Sequence, residues 1–257
     1  MNKSLAVVIT TTKGRENVLH WVVKHLCKDV KGKFHLYIYN DHALPLQQSL
    51  TKLIYKQQKR SDIKLFLYND TGKLNRTKIG CGGARHFLFE QAKKNNHNIL
   101  VSLDDDMQLM PNWIENIVHA MKVYPNHSVF TGVVRGKGGD VQHAGSNMQI
   151  INNTLYRSEN KRITSNFLKT EWGPMGCLAF CRSALSKDIV VPSLYIRDDA
   201  AFYLLLKKIG INETIVVPNA HAIHKPIPVP NSNLRIPEEM AKEVIWFRDT
   251  HGIELGY

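Results

Sequence analysis

The sequence contains no long apolar segment. Hydrophobic residues make up 43% of its 257 residues, yet no run approaches the roughly 18 consecutive apolar residues that a membrane-spanning helix requires. The residues before the first predicted strand include one lysine and no small-residue cleavage site, which disfavours a signal peptide. We therefore expect no transmembrane segment and a cytoplasmic location.

Cysteine is also scarce. The four cysteines, Cys27, Cys81, Cys177 and Cys181, form no Cys-x-x-Cys pair. Their number and spacing argue against a disulfide framework and indicate free thiols in a reducing compartment. Cys177 and Cys181 lie four residues apart, but no second pair of ligands stands nearby. A structural zinc site is therefore disfavoured.

Acidic residues are outnumbered by basic ones. The chain has 34 lysines and arginines against 22 aspartates and glutamates, which gives a formal charge of +12. Basic proteins of this size often bind polyanions such as nucleic acids or anionic surfaces. A lysine-rich surface that serves solubility is the alternative. The charge therefore bears on the partner of the protein and not on its fold.

The sequence also lacks internal repeats, low-complexity blocks and a Pro/Gly/Ser-rich linker. Short apolar runs alternate with longer amphipathic segments, and this alternation predicts an α/β fold with a mostly parallel sheet and helices on both faces. After Arg135 the pattern changes to a weak hairpin over about 141–158, an apolar run, and helices over about 198–209 and 238–250. The predicted strands are 5–11, 34–39, 63–67, 99–103 and 129–134, and the predicted helices between them are about 16–27, 46–58, 78–94 and 111–123.

An acidic cluster ends the fourth predicted strand. The run Leu-Val-Ser-Leu at 100–103 leads directly into Asp104, Asp105 and Asp106. Ligands of open parallel sheets bind beyond the carboxyl ends of the strands, and in an extended segment Asp104 and Asp106 point the same way. Mn²⁺ and Mg²⁺ prefer carboxylate oxygens and share their coordination with phosphates. We therefore predict a divalent cation here that neutralises the cluster, with a solvated acidic turn as the alternative.

Several segments occur in an order that resembles one enzyme family. They are LAVVITTTKGR in the first strand, YIYNDHA at the end of the second, KIGCGGARHFLFEQA, and then the Asp-x-Asp cluster. Over residues 5–225 the chain resembles nucleotide-sugar-dependent glycosyltransferases of the GT-A fold and is similar to glycosyltransferase family 2. The resemblance implies one Rossmann-like GT-A domain over residues 1–257. Its half at about 1–135 would bind the nucleotide sugar, and its half at about 136–257 would bind the acceptor.

The resemblance also implies which residues bind the donor. Taken alone, Thr10 to Thr12 are also compatible with strand-end capping, Asp41 with a turn, and Arg85 with a structural ion pair. Gly80, Gly82 and Gly83 either let a helix start approach the sheet or leave amide groups free for an anion. The residues assigned to nucleotide-sugar binding are Thr10, Thr11, Thr12, Arg15, Asp41, Arg85, Asp104 and Asp105.

A histidine late in the sequence is assigned to the metal site by the same resemblance. The segment VVPNAHAIHKP resembles the late strand whose histidine often completes that site. A single histidine among twelve is usually structural. The resemblance nevertheless assigns Asp104, Asp106 and His224 to a Mn²⁺ or Mg²⁺ ion.

Two further segments resemble the acceptor side of the family. EWGPMGCLAFCRSAL supplies Trp172 and Gly176 as acceptor-binding residues, with core packing as the alternative for Trp172. LYIRDDAAFYLLLKKIG carries Asp198 and Asp199 where the family commonly has Glu-Asp. We favour Asp199 as the catalytic base, with Asp198 next. Favourable placement at a helix N-terminus is the alternative for both carboxylates.

The function implied by the resemblance is metal-dependent and inverting transfer of a sugar from a UDP-sugar to a hydroxyl acceptor. The positive charge makes a hydroxylated base in DNA a candidate acceptor, beside a glycan, a lipid or a peptide. A phosphatase is disfavoured because the aspartates follow the fourth strand and not the first. A nucleotidyltransferase and a non-catalytic nucleic-acid-binding module remain as alternatives.

Overall fold

The computed structural model describes residues 4–12, 14–41, 52, 53, 56, 63–69, 80–185, 190–194, 197–226 and 237–255. The strands are β1 (Leu5–Thr11), β2 (Phe34–Asn40), β3 (Ile63–Asn69), β4 (Ile99–Asp104), β5 (Met107–Leu109), β6 (Val129–Arg135), β7 (Val141–His143), β8 (Ser146–Ile151), β9 (Thr154–Glu159), β10 (Leu168–Thr170), β11 (Cys177–Cys181), β12 (Thr214–His224) and β13 (Glu254–Leu255). The helices are α1 (Glu16–Asp29), α2 (Gly80–Lys94), α3 (Trp113–Val123), α4 (Arg182–Leu185), α5 (Asp198–Lys208) and α6 (Pro237–His251).

Most of the strands form one mixed sheet. Its order is β10-β12-β6-β11-β4-β1-β2-β3, with β5 added to β12 and β7 added to β6. Strands β3, β2, β1 and β4 are parallel, as are β6 and β12, whereas β11 runs antiparallel between β4 and β6. The predicted α/β class with a mostly parallel sheet is confirmed. Strands from both predicted halves share this sheet, and the division near residue 135 stays a prediction.

Both faces of the sheet are buried by helices. In β1, Val7 and Ile9 pack into a core with α1 and α3, while Ala6 and Val8 pack into a second core with α2, α5 and α6. Every residue of β1 is therefore buried, which explains why its sequence is continuously apolar and not alternating. The large apolar side chains of this strand, Val7, Val8 and Ile9 among them, each contribute about 1.5–3 kcal/mol when fully buried. This burial fixes the strand ends that carry the candidate site.

The second half adds a smaller sheet of order β13-β9-β8. Strands β8 and β9 form the predicted hairpin, and its turn residues Asn152 and Asn153 have φ values of 48° and 60°. Asparagine tolerates this left-handed conformation better than most residues do. Among the described residues, no helix is long and apolar enough to cross a membrane.

Two predicted elements differ from the structure or lie outside it. The helix predicted to open at Pro111 begins instead at Trp113, because Asn112 before it has a φ of 64°, which is not helical. The predicted helix at 46–58 and the predicted loop at 226–237 lie almost entirely outside the described residues.

Candidate active site

A cavity of about 340 Å³ lies at the carboxyl ends of β1 and β4, beside the first turns of α2 and α5. This volume is within the range of small-molecule sites. The cavity brings together all of the predicted site residues except Trp172 and His224. It is lined by Thr10, Thr11, Thr12, Arg15, Asp41, Cys81, Arg85, Asp104, Asp105, Asp106, Pro174, Met175, Gly176, Asp198 and Asp199.

Strand register places Thr10, Asp41 and Asp104 at one edge of the sheet. Thr10 of β1 pairs with Asp104 of β4 on one side, and the amide of Asp41 donates to the carbonyl of Thr11 at 2.8 Å on the other. Parallel strands end at the same edge of a sheet, so residues distant in sequence meet there. The predicted clustering of these residues follows from this register.

Two arginines of the chain form ion pairs with the acidic cluster. The Arg15 guanidinium contacts Asp105 and Asp106, at 2.6 Å to each carboxylate, and the Thr11 hydroxyl donates to Asp105 at 2.6 Å. Arg85 forms an ion pair with Asp104. These two positive charges relieve part of the repulsion among the three carboxylates, and the predicted divalent cation stays a prediction. Both arginines keep their charge at any relevant pH.

The aspartates also point differently from the strand-based prediction. β4 ends at Asp104, and Asp105 and Asp106 form a turn. The two-residue alternation of a strand therefore does not extend to them. Asp105 and Asp106 share Arg15, and the convergence of Asp104 and Asp106 on one ion stays a prediction. Burial, opposed by Arg15, raises the pKa of Asp105 to about 6.

Arg85 connects the two sides of the cavity. It lies one turn into α2, and its side chain is 5% exposed. Besides Asp104, it contacts Asp198 at 3.3 Å and the Cys81 thiol at 3.1 Å. This is the ion-pair arrangement that we considered as the alternative. A contact of Arg85 with phosphate stays a prediction.

Asp199 differs from Asp198 in its contacts, and its role as catalytic base stays a prediction. It lies in the first turn of α5, and one of its oxygens accepts the Ala200 amide at 2.7 Å. Asp198, in contrast, faces Arg85. Burial, together with the neighbouring Asp198, raises the pKa of Asp199 to about 7. A pKa near the working pH suits a general base.

His224 lies beside the acidic turn because of sheet pairing. It pairs with Met107 across β12 and β5, and the Lys225 amide donates to the Asp106 carbonyl at 2.9 Å. The His224 Nε2 atom is 3.7 Å from the Asp106 Oδ1 atom. The neighbouring carboxylate of Asp106 favours the protonated ring and so raises the pKa of His224.

The donor atoms near Asp106 fit a divalent cation that is shared with a ligand. A carboxylate and an imidazole are suitable ligands for Mn²⁺, and their separation of 3.7 Å is too long for a hydrogen bond. Among the residues that the structure describes, no group of three His, Cys, Asp or Glu side chains is arranged to hold an ion alone. The remaining ligands would have to come from water and from the phosphates of a bound nucleotide.

Gly176 is the one position beneath Asp104 where a side chain does not fit. A Cβ atom there would lie 2.0 Å from the Asp104 carboxylate.

Gly176→Ala is therefore expected to push Asp104 away from Arg85 and to weaken nucleotide binding about tenfold or more, a loss of at least ~1.4 kcal/mol in binding free energy. Titration calorimetry with UDP measures this. The matched control is Gly138→Ala, whose added Cβ would meet its nearest atom at 3.6 Å. Equal UDP affinity in both variants contradicts the expectation.

Trp172 lies outside the cavity. It is 4% exposed, its ring centroid is 6.0 Å from that of Tyr203, and the Arg157 guanidinium stacks over it at 4.6 Å. This environment corresponds to the core-packing alternative, and a role in acceptor binding stays a prediction.

Three lining residues were not predicted: Cys81, Pro174 and Met175. The Cys81 thiol is 3.3 Å from the Thr10 hydroxyl, and burial raises its pKa to about 12, so it stays neutral. Its position one helical turn before Arg85 was the signal that could have identified it. Pro174 and Met175 are neighbours of the predicted Gly176 in the sequence.

The family profile named glycosyl transferase family 2 matches residues 7–190 of the sequence. The chain belongs to glycosyltransferase family 2. The match contains the acidic turn, Arg15, Arg85 and Gly176, and it ends before Asp199 and His224. No curated protein matches the sequence as a whole.

Solved structures of glycosyltransferases share the fold of this family 2 chain. GalNAc-T7, solved with UDP, GalNAc and Mn²⁺, superposes over 95% of the chain and 48% of its own, with a TM-score of 0.65 and 15% identity. A UDP complex of residues 1–349 of S. aureus TarS superposes over 86% of the chain and 61% of its own, at a TM-score of 0.57 and 17% identity. The mannosyltransferase PcManGT from Pyrobaculum calidifontis was solved with GDP-Man and Mn²⁺. It superposes over 91% of the chain and 59% of its own, at a TM-score of 0.57 and 12% identity.

These superpositions confirm the predicted GT-A fold. At such low identity the likeness concerns the fold alone. The family 2 chain spans about half to three-fifths of the length of these proteins.

Proposed function

We propose that the chain transfers a sugar from a nucleotide diphosphate donor, most simply a UDP-sugar, to a hydroxyl group. The observation that carries this proposal is a single cavity in which the acidic turn faces a carboxylate whose pKa is about 7. Membership in glycosyltransferase family 2 supports it. The fold is shared with proteins solved with UDP or GDP-mannose, two of them also with Mn²⁺.

The donor would lie along the ends of β1, β2 and β4. Thr10, Thr11, Thr12 and Asp41 would contact the nucleoside, since they line the donor side of the cavity. Arg15 would bind phosphate oxygens near the acidic turn. Asp106 and His224 would hold Mn²⁺ or Mg²⁺, with Asp104 joining through water. The cation would supply charge neutralisation for the departing diphosphate.

The chemical step that we propose is a single displacement. Asp199 accepts the proton of the acceptor hydroxyl while the acceptor oxygen bonds to the anomeric carbon and the bond to the diphosphate breaks. Attack from the face opposite the leaving group inverts the anomeric configuration. Asp198 is a weaker candidate for the base: burial, opposed by Arg85, raises its pKa to about 6, below that of Asp199, and its carboxylate is engaged with Arg85 at 3.3 Å. Arg85 holds Asp104 and Asp198 in place on the two sides of the cavity.

For the acceptor, we propose a hydroxylated base in DNA, with a glycan, lipid or peptide as the alternative. The support is the charge of +12. Some basic residues that could contact DNA phosphates are engaged within the chain: Lys207 is paired with Glu171 at 2.6 Å and Arg135 donates to the Gly139 carbonyl at 2.7 Å. Lys137, Lys161 and Arg162 are exposed, and Lys161 lies 3.9 Å from Glu159.

Salt dependence separates these acceptors. If DNA is the acceptor, DNA affinity should fall steeply with salt concentration, because binding releases counterions from the phosphates. Incubation of hydroxymethylated DNA with donor should then increase the mass of the modified nucleoside. If the protein elutes from DNA at low salt and the mass of the modified nucleoside does not increase, DNA is excluded as the acceptor. A glycan, a lipid or a peptide then remains.

The test of the overall function is a screen of nucleotide sugars. The protein is incubated with each donor and Mn²⁺, and release of the nucleotide diphosphate is measured. Turnover of one donor, abolished by chelation of the metal, supports the proposal. Calorimetry with UDP, GDP and dTDP, with and without Mn²⁺, checks binding separately. If no nucleotide binds under any condition, the proposal is wrong and a non-catalytic binding role takes its place.

A further inference from the structure

We propose that Gln142 is a positioning residue that fixes the ring orientation and tautomer of His224 for metal binding. This inference rests on the proposed function, since it concerns the same metal. The side-chain oxygen of Gln142 lies 2.9 Å from the His224 Nδ1 atom. On its other side, the His224 ring directs its Nε2 atom at Asp106.

The tautomer follows from the acceptor that Gln142 presents. An amide oxygen only accepts hydrogen bonds, so the neutral His224 ring must carry its proton on Nδ1. The lone pair of Nε2 then faces the carboxylate of Asp106 at 3.7 Å. A proton on Nε2 or a metal ion between the two atoms relieves the repulsion between these acceptors, and a bound metal takes the place of the proton. Histidine ligands of metals commonly donate their second N–H in this way.

The Gln142 amide lies beside the turn at residues 136–140. Its nitrogen is on the side of Gly136, where an added Cβ atom would lie 2.8 Å from it, and its oxygen is on the side of His224. This turn is closed by the Gly136 amide, which donates to the Asp140 carbonyl at 2.8 Å. Arg135 also donates to the Gly139 carbonyl in the same turn.

Neighbouring residues anchor the short strand that carries Gln142. β7 pairs with β6 through Val141 and His143. The His143 ring is buried, accepts the Gly145 amide at 3.1 Å and lies 3.0 Å from the Ser146 hydroxyl. Gln142 lies between these two anchored residues and therefore faces the opposite side, toward β12. The flanking anchors therefore hold the backbone of Gln142 where its side chain meets His224.

The experiment compares Gln142→Met with Gln142→Glu in the full chain. Methionine keeps the length of the side chain but loses the oxygen acceptor, whereas glutamate keeps an acceptor. Mn²⁺ is titrated into each protein with saturating UDP, and free Mn²⁺ is measured by electron paramagnetic resonance. We expect Gln142→Met to bind Mn²⁺ about 10–100-fold more weakly, and Gln142→Glu to bind at least as tightly as the wild type.

A spectroscopic measurement separates positioning from a general loss of structure. In ¹⁵N-histidine spectra of the Mg²⁺–UDP complex, the wild type and Gln142→Glu should show His224 protonated on Nδ1, and Gln142→Met should show a mixture of ring states. The control is Gln149→Met, an exposed glutamine on β8, which should match the wild type in both measurements. Unfolding temperatures check that all variants are folded.

The outcomes that overturn the inference are distinct from failure of the proposed function. If the wild type binds Mn²⁺ with UDP and Gln142→Met binds it equally well, Gln142 does not position the ligand and the proposed function stands. If Gln142→Glu also loses binding, the acceptor oxygen is not the decisive feature. If the wild type binds no Mn²⁺ with UDP, GDP or dTDP, both the metal site and this inference are wrong.

Discussion

Replacing Asp199 with asparagine is expected to lower the rate of sugar transfer by about 10²–10⁴-fold, the usual contribution of a general base. Asparagine keeps the shape of the side chain and can still accept the Ala200 amide, but it cannot take a proton from the acceptor. UDP binding should change little, because Asp199 lies on the α5 side of the cavity. Initial rates of UDP release and calorimetry with UDP measure the two effects separately.

The matched control for this change is Asp249→Asn. Asp249 lies on α6, its side chain is 62% exposed, and its ion pair is with the adjacent Arg248. This variant should transfer sugar at the wild-type rate. Near-normal turnover by Asp199→Asn would exclude Asp199 as the base, and Asp198→Asn would then be the variant to measure.

The pH dependence of the transfer rate tests the assignment of Asp199 as the base in a second way. Burial and Asp198 raise the pKa of Asp199 to about 7, and the base acts only in its deprotonated form. The rate should therefore rise with pH up to about 7 and level off above it, and it should fall about tenfold for each pH unit below. In Asp199→Asn, the small residual rate should no longer fall as the pH decreases below 7.

Asp106→Asn is expected to abolish the effect of Mn²⁺ on UDP affinity and to reduce transfer at least about a hundredfold. Asp106 is the carboxylate that faces His224, and charge stabilisation by a bound metal is worth several kcal/mol in the transition state, at about 1.4 kcal/mol for each tenfold in rate. The fold should persist, because Arg15 retains its ion pair with Asp105. Calorimetry with UDP, with and without Mn²⁺, measures the coupling directly.

Two results would count against this role of Asp106. The first is UDP binding by Asp106→Asn that Mn²⁺ still strengthens as in the wild type. The second is a large fall in unfolding temperature, which would mean that Asp106 acts mainly as a structural partner of Arg15. Asp249→Asn serves again as the control. It removes one negative charge, as Asp106→Asn does, but at a solvent-exposed position.

The strands and the edge of the sheet that carries the site were predictable. β1 is buried on both faces, so hydrophobicity alone predicts a strand at 5–11. Its parallel neighbours then require that Thr11, Asp41 and Asp104 share one edge. The start of α3 was not predictable from Pro111, because proline is compatible both with a first helical turn and with the turn that Asn112 completes in the structure.

The partners of the charged residues were less predictable. Arg15 and Asp105 are separated by 90 residues along the chain, and His224 and Gln142 by 82. Nothing local distinguishes an arginine that binds phosphate from one that neutralises a carboxylate. The same holds for Trp172, whose aromatic ring suits both a sugar platform and the buried position that it has under Arg157.

The sequence by itself determined the order of strands and helices, the acidic turn after β4 and the family, because these depend on residues that are neighbours along the chain. Only the tertiary structure decided that Arg15 and Arg85 pair with the aspartates, that Asp198 contacts Arg85, and that Gln142 contacts His224. The physical reason is that ion pairs and hydrogen bonds between distant segments depend on strand register and crossover geometry. A register shift of a single residue would change them while leaving the local sequence pattern intact.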